Sequence, residues 1–440
     1  MRQFAPIVIV LLGLMLRMGW IATHFDELAV DTDAYWRLAE NVAQGAGLVV
    51  DPQAPATAYR PPLFPILLGG IVRVFNDPLL GMGILNAVSG AVTILLTIAL
   101  GCHLGLGQWG RLIPGLLVAV DPLMLRYCSQ TMTETFFTML LLFWYFSLIR
   151  WKEAEFSQKA KESFRFAILT GFLFGLTVLT RPTLWPVVGF LGLACLGRVH
   201  WQNSRPVLLC CFSTLLVVMP WVIRNQLALG SPILMTTHGG YTLLLGNNPS
   251  FHKAVIGQPW GTAWRGEPDV EESINQSVWL SQLQAEMKAQ GIEGEIAQDR
   301  WMSKRARDNI FSDPVLFLRS AGRRMMRLWA LAPMGPAATG VSPILWWGVA
   351  LFSGILITAA AVGTLRLLLL EKHQLLGSVW FPVLAIVLTF CCVHLFYWTN
   401  TRMRLPIEPF LAMLAMRAIT SEASCQAGRT RHSTAQPLPE

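Results

Sequence analysis

Long apolar runs recur along the whole chain, and they restrict its possible folds more than any other feature. One helical crossing of a bilayer core of about 30 Å needs roughly 17–25 apolar residues. Candidate spans lie near residues 5–22, 79–101, 112–127, 134–149, 166–180, 183–197, 207–223, 343–365, 378–398 and 404–419. A mean hydropathy of +0.48 lies outside the range of soluble or disordered chains. The sequence therefore predicts an all-α polytopic membrane protein with about ten transmembrane helices.

Lys and Arg residues are concentrated in every second loop between these runs. They are Arg111; Arg150, Lys152, Lys159, Lys161 and Arg165; Arg198 and Arg205; Arg366 and Lys372; and Arg417, Arg429 and Arg431. With a cytoplasmic N-terminus, all of these loops face the cytoplasm, as the positive-inside rule requires. No small-x-small cleavage site follows the first run, so we expect an uncleaved span. The expected location is the plasma (inner) membrane, with both termini in the cytoplasm.

Two large segments, 23–62 and 224–342, are left on the outer face, and we expect function there. The first carries six acidic residues against two arginines. The second contains amphipathic stretches at about 270–290 and 294–312, which predict interfacial helices. A basic cluster, Arg319, Arg323, Arg324 and Arg327, precedes the next span. The predicted modules are 1–223, with its first outer loop as the catalytic part, 224–342, 343–420 and a cytoplasmic tail, 421–440.

The formal net charge of +8 does not indicate a nucleic-acid partner. The basic residues are scattered singly at the ends of apolar runs, whereas nucleic-acid binding needs a basic stripe. Seven of the eight Cys lie in or beside apolar runs, without metal-ligand spacing. They are predicted to be buried apolar side chains rather than disulfides or zinc ligands.

The segment Asp31-Thr-Asp33 opens the first outer loop with two carboxylates directly after the first span. The spacing of the residues that follow predicts a helix from Tyr35, ending before Gly45 and Gly47. Either Asp can cap that helix. Alternatively, one of them can accept the proton of an acceptor hydroxyl or amine.

Arginines lie next to the bilayer on the predicted outer face, against the charge bias of the other loops. Arg60 lies in an extended, Pro-flanked segment, and Arg181, Arg224, Arg402 and Arg404 follow at the ends of spans. Guanidinium groups match phosphate oxygens, so a lipid phosphate or the acids of the first loop are the expected partners.

Glu134 begins a span on the same face, where an unpaired carboxylate in lipid is costly. We therefore expect it to face a protein cavity. Alternatively, as an acidic residue in the first turn, it stabilises the helix N-terminus through the helix dipole.

This combination resembles the integral-membrane glycosyltransferases of the C-type fold, in the bacterial branch related to protein O-mannosyltransferases and the lipid A aminoarabinose transferase (glycosyltransferase family 39-like). The motifs that carry the resemblance are Asp31-x-x-x-Tyr35, Arg60-Pro-Pro-Leu-Phe-Pro65, Glu134 at a span start, Leu179-Thr-Arg-Pro182, Pro220-Trp-x-x-Arg-Asn225, Gly239-Gly-Tyr-Thr-Leu-Leu-Leu-Gly-Asn-Asn-Pro249 and Arg404-Leu-Pro-Ile-Glu-Pro409. They span nearly the whole chain, in order.

The resemblance implies transfer of a sugar from a polyprenyl-phosphate donor to a protein, lipid or glycan acceptor on the outer face. Its motif places the base at Asp31, four residues before Tyr35. Thr32 stands where an acid often follows, so Asp33 remains a second candidate for the base. The implied step is a single displacement with inversion.

The remaining candidate residues divide by role. Arg60, Arg404, Arg402 and Arg181 are expected to bind the donor phosphate, and Glu134, Tyr35, Tyr241 and Asn247 are expected to orient the sugar or the acceptor. No cofactor is expected, because the energy of the donor lies in its phosphate linkage. Asp31-Thr-Asp33 also matches the D-x-D pattern of metal-dependent glycosyltransferases, but without His ligands nearby we expect no metal, and a divalent cation stays an alternative.

Other functions of a membrane protein remain open. A lipid-linked-sugar transporter or flippase would need ionisable groups within spans, and Arg17 and His394 are the clearest of these. A glycan polymerase or ligase would differ only in its donor. A structural subunit would not need both an acidic pair and a set of arginines.

Overall fold

The computed structural model describes residues 4–195, 204–267, 270–370 and 375–420. This part of the chain is built of helices and has no β-strand; Val49 and Ala56 form an isolated antiparallel bridge. The all-α class expected from the sequence is therefore confirmed. Arg198, Lys372, Arg429, Arg431 and the tail 421–440 lie outside the described residues.

The first half of the chain forms eleven described helices. They are α1 (Ala5–Thr23), α2 (Tyr35–Ala43), α3 (Leu63–Val74), α4 (Pro78–His103), α5 (Gly107–Gly110), α6 (Leu112–Val120), α7 (Pro122–Tyr127), α8 (Glu134–Phe156), α9 (Ala160–Val178), α10 (Val187–Cys195) and α11 (Ser204–Leu229). Short 3₁₀ turns at Phe25–Ala29 and Pro182–Leu184 follow α1 and α9.

The second half continues in the same way. Its helices are α12 (Gly239–Gly246), α13 (Pro249–Phe251), α14 (Gln276–Ala289), α15 (Glu295–Ser312), α16 (Pro314–Leu328), α17 (Pro343–Leu370), α18 (Phe381–Phe396) and α19 (Glu408–Arg417). A 3₁₀ turn, Thr401–Ile407, leads directly into α19.

Four helices of the described chain, α1, α4, α11 and α17, are long and apolar enough to cross a membrane. Each of the other apolar runs coincides with one or more helices that are shorter or less apolar. The chain is a membrane protein, and the count of about ten spans stays a prediction.

Proline interrupts two of the runs that the sequence predicts as single helices. Residues 112–127 form α6 and α7 instead of one helix, because Asp121 adopts an extended ψ of 119° before Pro122. A residue before proline is disfavoured in the helical region, and proline donates no amide hydrogen bond. The last run, 404–419, likewise begins in the 3₁₀ turn that contains Pro406.

Glycines allow the long helices to pack at close range. A Cβ on Gly171 of α9 would overlap the carbonyl oxygen of Cys210 on α11, and one on Gly363 of α17 would overlap that of Leu414 on α19. Small residues at such crossings allow tight packing in lipid, where the hydrophobic effect does not drive helices together.

The two predicted outer segments contact each other. The first contains α2, and the second contains α12 to α16. Helices are confirmed within both amphipathic stretches, as α14, which begins at Gln276, and α15. Their interfacial position stays a prediction. Glu295 at the start of α15 accepts hydrogen bonds from the Thr57 hydroxyl, 2.6 Å, and the Ala58 amide, 2.7 Å. Arg224 in α11 donates to the carbonyl oxygens of Leu48 and Thr57. The larger segment therefore holds the residues that precede Arg60.

Candidate functional site

The two aspartates of the first loop point to different partners. Asp31 accepts hydrogen bonds from the backbone amides of Trp36, 3.0 Å, and Arg37, 3.1 Å, in the first turn of α2. Both of its carboxylate oxygens therefore satisfy amides that a helix start leaves without partners. Ala34, between Asp33 and the helix, adopts the left-handed region at φ 61°, ψ 25°. This turn allows Asp31 to cap α2 while Asp33 contacts other elements.

Asp33 pairs with two arginines that are distant in sequence. Its Oδ1 lies 2.8 Å from Nη2 of Arg60, and its Oδ2 lies 3.4 Å from Nη1 of Arg402. The backbone oxygen of Asp33 accepts from Nε of Arg60 at 2.9 Å. Burial raises the pKa of Asp33, but the charges of Arg60, Arg402 and Arg181 outweigh burial and hold this pKa below its ordinary value.

Glu134 is the second carboxylate of the site. Its Oε1 lies 2.6 Å from Nη1 of Arg181 and 3.2 Å from Nε of Arg402. The side chain is almost fully buried, and its Oε2 has no hydrogen-bond partner among the described residues. Glu134 is the first residue of α8, and its side chain lies among protein side chains. Glu134 keeps one oxygen that can accept a hydrogen bond from a bound hydroxyl.

These side chains form one connected group, which we call the ionic cluster. Its members are Asp33, Arg60, Glu134, Arg181 and Arg402. Three guanidinium groups against two carboxylates leave one positive charge. The five residues come from the start of α2, the segment before α3, the start of α8, the end of α9 and the turn before α19. All of these helix ends are predicted to lie on the outer face, and the structure brings them to one place.

Aromatic rings surround Arg60. Its guanidinium carbon lies 5.4 Å from the ring centre of Tyr35 and 4.6 Å from that of Tyr59. Tyr35 is buried and packs edge-on against Phe64. Cation–π contacts of this kind hold a guanidinium in place without occupying its N–H donors. Tyr35 is therefore beside the cluster, in contact with Arg60.

Arg404 lies apart from the ionic cluster, although the sequence pairs it with Arg402. It is buried, its Nε lies 2.6 Å from Oε1 of Glu408, and its Nη1 donates to the carbonyl oxygens of Leu328 and Ala330. Its Nε and Nη1 donors are thus satisfied by the protein. Arg404 joins α19 to the end of α16, and the structure does not place it where Arg60 and Arg402 meet.

Asn247, Tyr241 and Arg224 also lie outside the ionic cluster. Asn247 is buried, and its amide donates to the carbonyl oxygens of Leu243 and Phe396. Tyr241 lies nearer to the ionic cluster. Its ring lies 5.0 Å from that of His238, and the His238 ring lies 4.3 Å from that of Tyr59, next to Arg60. Arg224 was expected to need an anionic partner, and its partners are backbone carbonyls and the Asn225 side chain.

Sequence reasoning missed three residues at this site. His238 lies between Tyr59 and Tyr241, with ring centres 4.3 Å from Tyr59. Glu295 anchors the segment before Arg60. Tyr59 is adjacent to Arg60 in sequence, which could have marked it, whereas the other two lie on the distant outer segment with no spacing pattern that connects them to Arg60.

No group of three or more His, Cys, Asp or Glu side chains that could hold a metal ion occurs in the described ranges. Asp31 and Asp33, the two acids of the D-x-D pattern, bind a helix start and arginines respectively. The expectation that the reaction needs no metal stays a prediction.

Comparison with known proteins relates the chain to membrane glycosyltransferases. Residues 59–223 match the model of a family described as dolichyl-phosphate-mannose-protein mannosyltransferase. The matched range includes Arg60, Glu134 and Arg181 of the ionic cluster. No curated protein matches the chain significantly in sequence.

Solved structures with a similar fold include an oligosaccharyltransferase from Archaeoglobus fulgidus, at 12% identity and a TM-score of 0.52. The likeness covers 94% of this chain but 48% of the oligosaccharyltransferase, so the chain spans about half of that protein's length. ArnT from Cupriavidus metallidurans, without ligand and bound to undecaprenyl phosphate, matches at 14% and 12% identity with TM-scores of 0.42 and 0.40, over 94% of this chain and 77% of ArnT in each case.

The family match and the fold are independent observations. The first compares sequences over residues 59–223, and the second compares the course of the backbone over most of the chain. The resemblance to integral-membrane glycosyltransferases of the C-type fold that the sequence predicts is therefore confirmed.

Proposed function

We propose that the protein transfers a sugar from a polyprenyl-phosphate donor to an acceptor on the outer face of the membrane, and that the ionic cluster is its active site. The single observation that carries this proposal is the meeting of three arginines and two carboxylates, with one net positive charge. A donor phosphodiester carries one negative charge and complements this excess. The matched family description names a lipid-phosphate-linked sugar and supports the same donor class.

The arginines are suited to the leaving group. As the bond between the anomeric carbon and the phosphate oxygen breaks, the phosphate gains negative charge, and preplaced guanidinium groups lower the barrier. Arg60 and Arg402 are the candidates for this contact, with side chains 13% and 14% exposed. Arg181 supports them through Glu134.

Asp33 is the proposed general base. It takes the proton of the acceptor hydroxyl or amine as that atom forms its bond to the anomeric carbon, and the polyprenyl phosphate leaves from the opposite side. Asp31 is less suited, because both of its oxygens accept amide hydrogen bonds from α2. Glu134 has an unpartnered oxygen, and we assign it to a sugar hydroxyl.

The transporter alternative gains no support from the two groups that motivated it. Arg17 is buried in α1 and donates to the carbonyl oxygens of Gly13, Val118 and Ala119. His394 contacts the Thr399 hydroxyl at 2.9 Å. Arg17 thus ties α1 to α6, and His394 bonds to the segment that directly follows its own helix.

The test is mass spectrometry of polyprenyl-phosphate sugars and surface glycans from cells with the wild-type protein, no protein, or the Asp33→Asn form. We expect one lipid-linked sugar to accumulate, and one glycan to lose one residue, in both defective strains. The Phe311→Leu form, altered at an exposed side chain of α15, serves as the matched control. Unchanged lipid and glycan pools in cells without the protein would overturn the transferase proposal.

A further inference from the structure

A row of three aromatic rings begins beside the ionic cluster. The ring of Tyr59, next to Arg60, lies 4.3 Å from that of His238, which lies 5.0 Å from that of Tyr241. The row combines the first outer loop with the start of α12. Each of the three residues is half-buried, so each keeps some surface that a ligand can contact.

The polar tips of these rings are free of protein partners within the described ranges. Nδ1 of His238 is buried and makes no hydrogen bond there, and the hydroxyl groups of Tyr59 and Tyr241 have no hydrogen-bond partner in this part of the chain. A buried polar atom without a partner costs free energy, which a ligand that bonds to it recovers. The buried Nδ1 of His238 and the two unpartnered tyrosine hydroxyls, beside three rings, match a ligand that has both apolar C–H faces and hydroxyl groups.

The charges around the row further restrict the class of ligand that it can bind. Burial and the charge of Arg60 lower the pKa of His238 to about 3, so its imidazole is neutral at physiological pH. The row is thus an uncharged surface with a cation at one end. An uncharged sugar fits this surface, whereas an amino sugar would bring its own positive charge towards Arg60.

We infer that Tyr59, His238 and Tyr241 form a subsite for the donor's sugar, an uncharged pyranose, which packs a C–H face on the rings and hydrogen-bonds their polar tips. This inference rests on the proposed function, because a phosphate held by Arg60 places the attached sugar beside Tyr59. If loss of a ring weakens binding of the sugar-bearing donor, the subsite holds the donor's sugar and not a sugar of the acceptor.

Binding to the purified full chain in lipid nanodiscs separates the sugar from the phosphate. The probes are undecaprenyl phosphate alone and the same lipid carrying glucose, mannose or an amino sugar. For each protein, the ratio of Kd for the bare lipid to Kd for the sugar-bearing lipid measures what the sugar adds. We expect a ratio above one in the wild type for at least one uncharged sugar, and a smaller ratio for the amino sugar.

Removal of either tyrosine ring should reduce that ratio. Tyr241→Leu and Tyr59→Leu are expected to lower it by roughly two- to tenfold, the size of one aromatic contact. Tyr241→Leu should leave Kd for bare undecaprenyl phosphate unchanged, since Tyr241 is two rings from Arg60. The control is Phe311→Leu, which removes an exposed ring elsewhere on the outer segment and should leave every Kd unchanged.

The binding experiment distinguishes failure of the sugar subsite from failure of the proposed function. If the wild type binds undecaprenyl phosphate but no uncharged sugar tightens binding, or if both tyrosine variants keep the wild-type ratio, the sugar subsite is overturned and the phosphate site stands. If the wild type binds none of the lipid phosphates, the proposed function is overturned, and the subsite with it.

Discussion

The carboxylate of Asp33 lies 2.8 Å from the guanidinium of Arg60, and 27 residues separate the two along the chain. Arg60 also donates from Nε to the backbone oxygen of Asp33. This double contact fixes the backbone as well as the side chain of Asp33. A candidate base and a candidate phosphate ligand are therefore held in one rigid arrangement, while Asp31 completes the helix start beside them.

Substitution of Asp33 and substitution of Asp31 should have very different effects on sugar transfer. Asp33→Asn removes the proposed proton acceptor, and transfer should fall by about 10²- to 10⁴-fold in kcat, the usual contribution of a general base. Asp31→Asn should retain most of the activity, because the Asn oxygen still accepts from one of the two amides and the proposed proton acceptor is intact. The measurement is sugar transfer from the lipid donor identified by mass spectrometry. An inactive Asp31→Asn form beside an active Asp33→Asn form would return the base to Asp31.

The pH dependence of kcat/KM should reflect the positive charges of the arginines around Asp33. Because nearby positive charges hold its pKa low, kcat/KM should persist as the pH falls through the ordinary carboxyl range and decline only below it. Arg402→Gln removes one of these charges, so the acidic limb of the profile should move to higher pH. Arg402→Lys keeps the charge and should move the limb less. Identical acidic limbs in wild type and Arg402→Gln would refute the electrostatic role of Arg402.

Arg404→Ala should damage folding rather than donor binding. It leaves the buried carboxylate of Glu408 without its cation, and breaking a buried pair in this way typically costs about 3–5 kcal/mol. We expect low folded yield and a lower Tm, with Kd for undecaprenyl phosphate unchanged in the protein that folds. The double variant Arg404→Met, Glu408→Leu should recover folding. Normal folding with weakened lipid binding would instead support the phosphate role expected from the sequence.

Ala34→Gly should stabilise the loop that separates the two aspartates. Ala34 has φ 61°, and the left-handed conformation costs a residue with a Cβ roughly 1–2 kcal/mol. Glycine adopts it without that cost, although it adds entropy to the unfolded chain. We expect a higher Tm for Ala34→Gly, and lower Tm and activity for Ala34→Val, whose branched side chain fits this region poorly. A lower Tm for Ala34→Gly would contradict the strain assigned here.

Much of the fold follows from the sequence because helices are local. Apolar runs long enough to span a bilayer predict where helices lie, and Gly45 and Gly47, both at φ 84°, end α2 as expected. Breaks within runs, as at Pro122, were not predicted, although proline marks where they occur. The helical class, the membrane location and the resemblance to membrane glycosyltransferases all rest on such one-dimensional features.

The site is only partly contained in the sequence. The motifs pick out Asp31, Asp33, Arg60, Glu134, Arg181 and Arg402 as charged residues at helix ends. Nothing in their spacing decides that Asp33 meets Arg402, 369 residues away, or that Arg404, two residues later, turns to Glu408 instead. Adjacent positions in a tight turn point in different directions, and their partners depend on how distant helices pack.

The sequence by itself therefore determined which residues carry charge at the ends of apolar helices, because desolvation makes such charges costly anywhere else. The tertiary structure alone decided which of them pair, since a carboxylate interacts strongly only with cations a few ångströms away, and those distances are set by contacts between segments far apart in the chain. It also brought His238 between Tyr59 and Tyr241 and joined Glu295 to Thr57, contacts that no local pattern encodes.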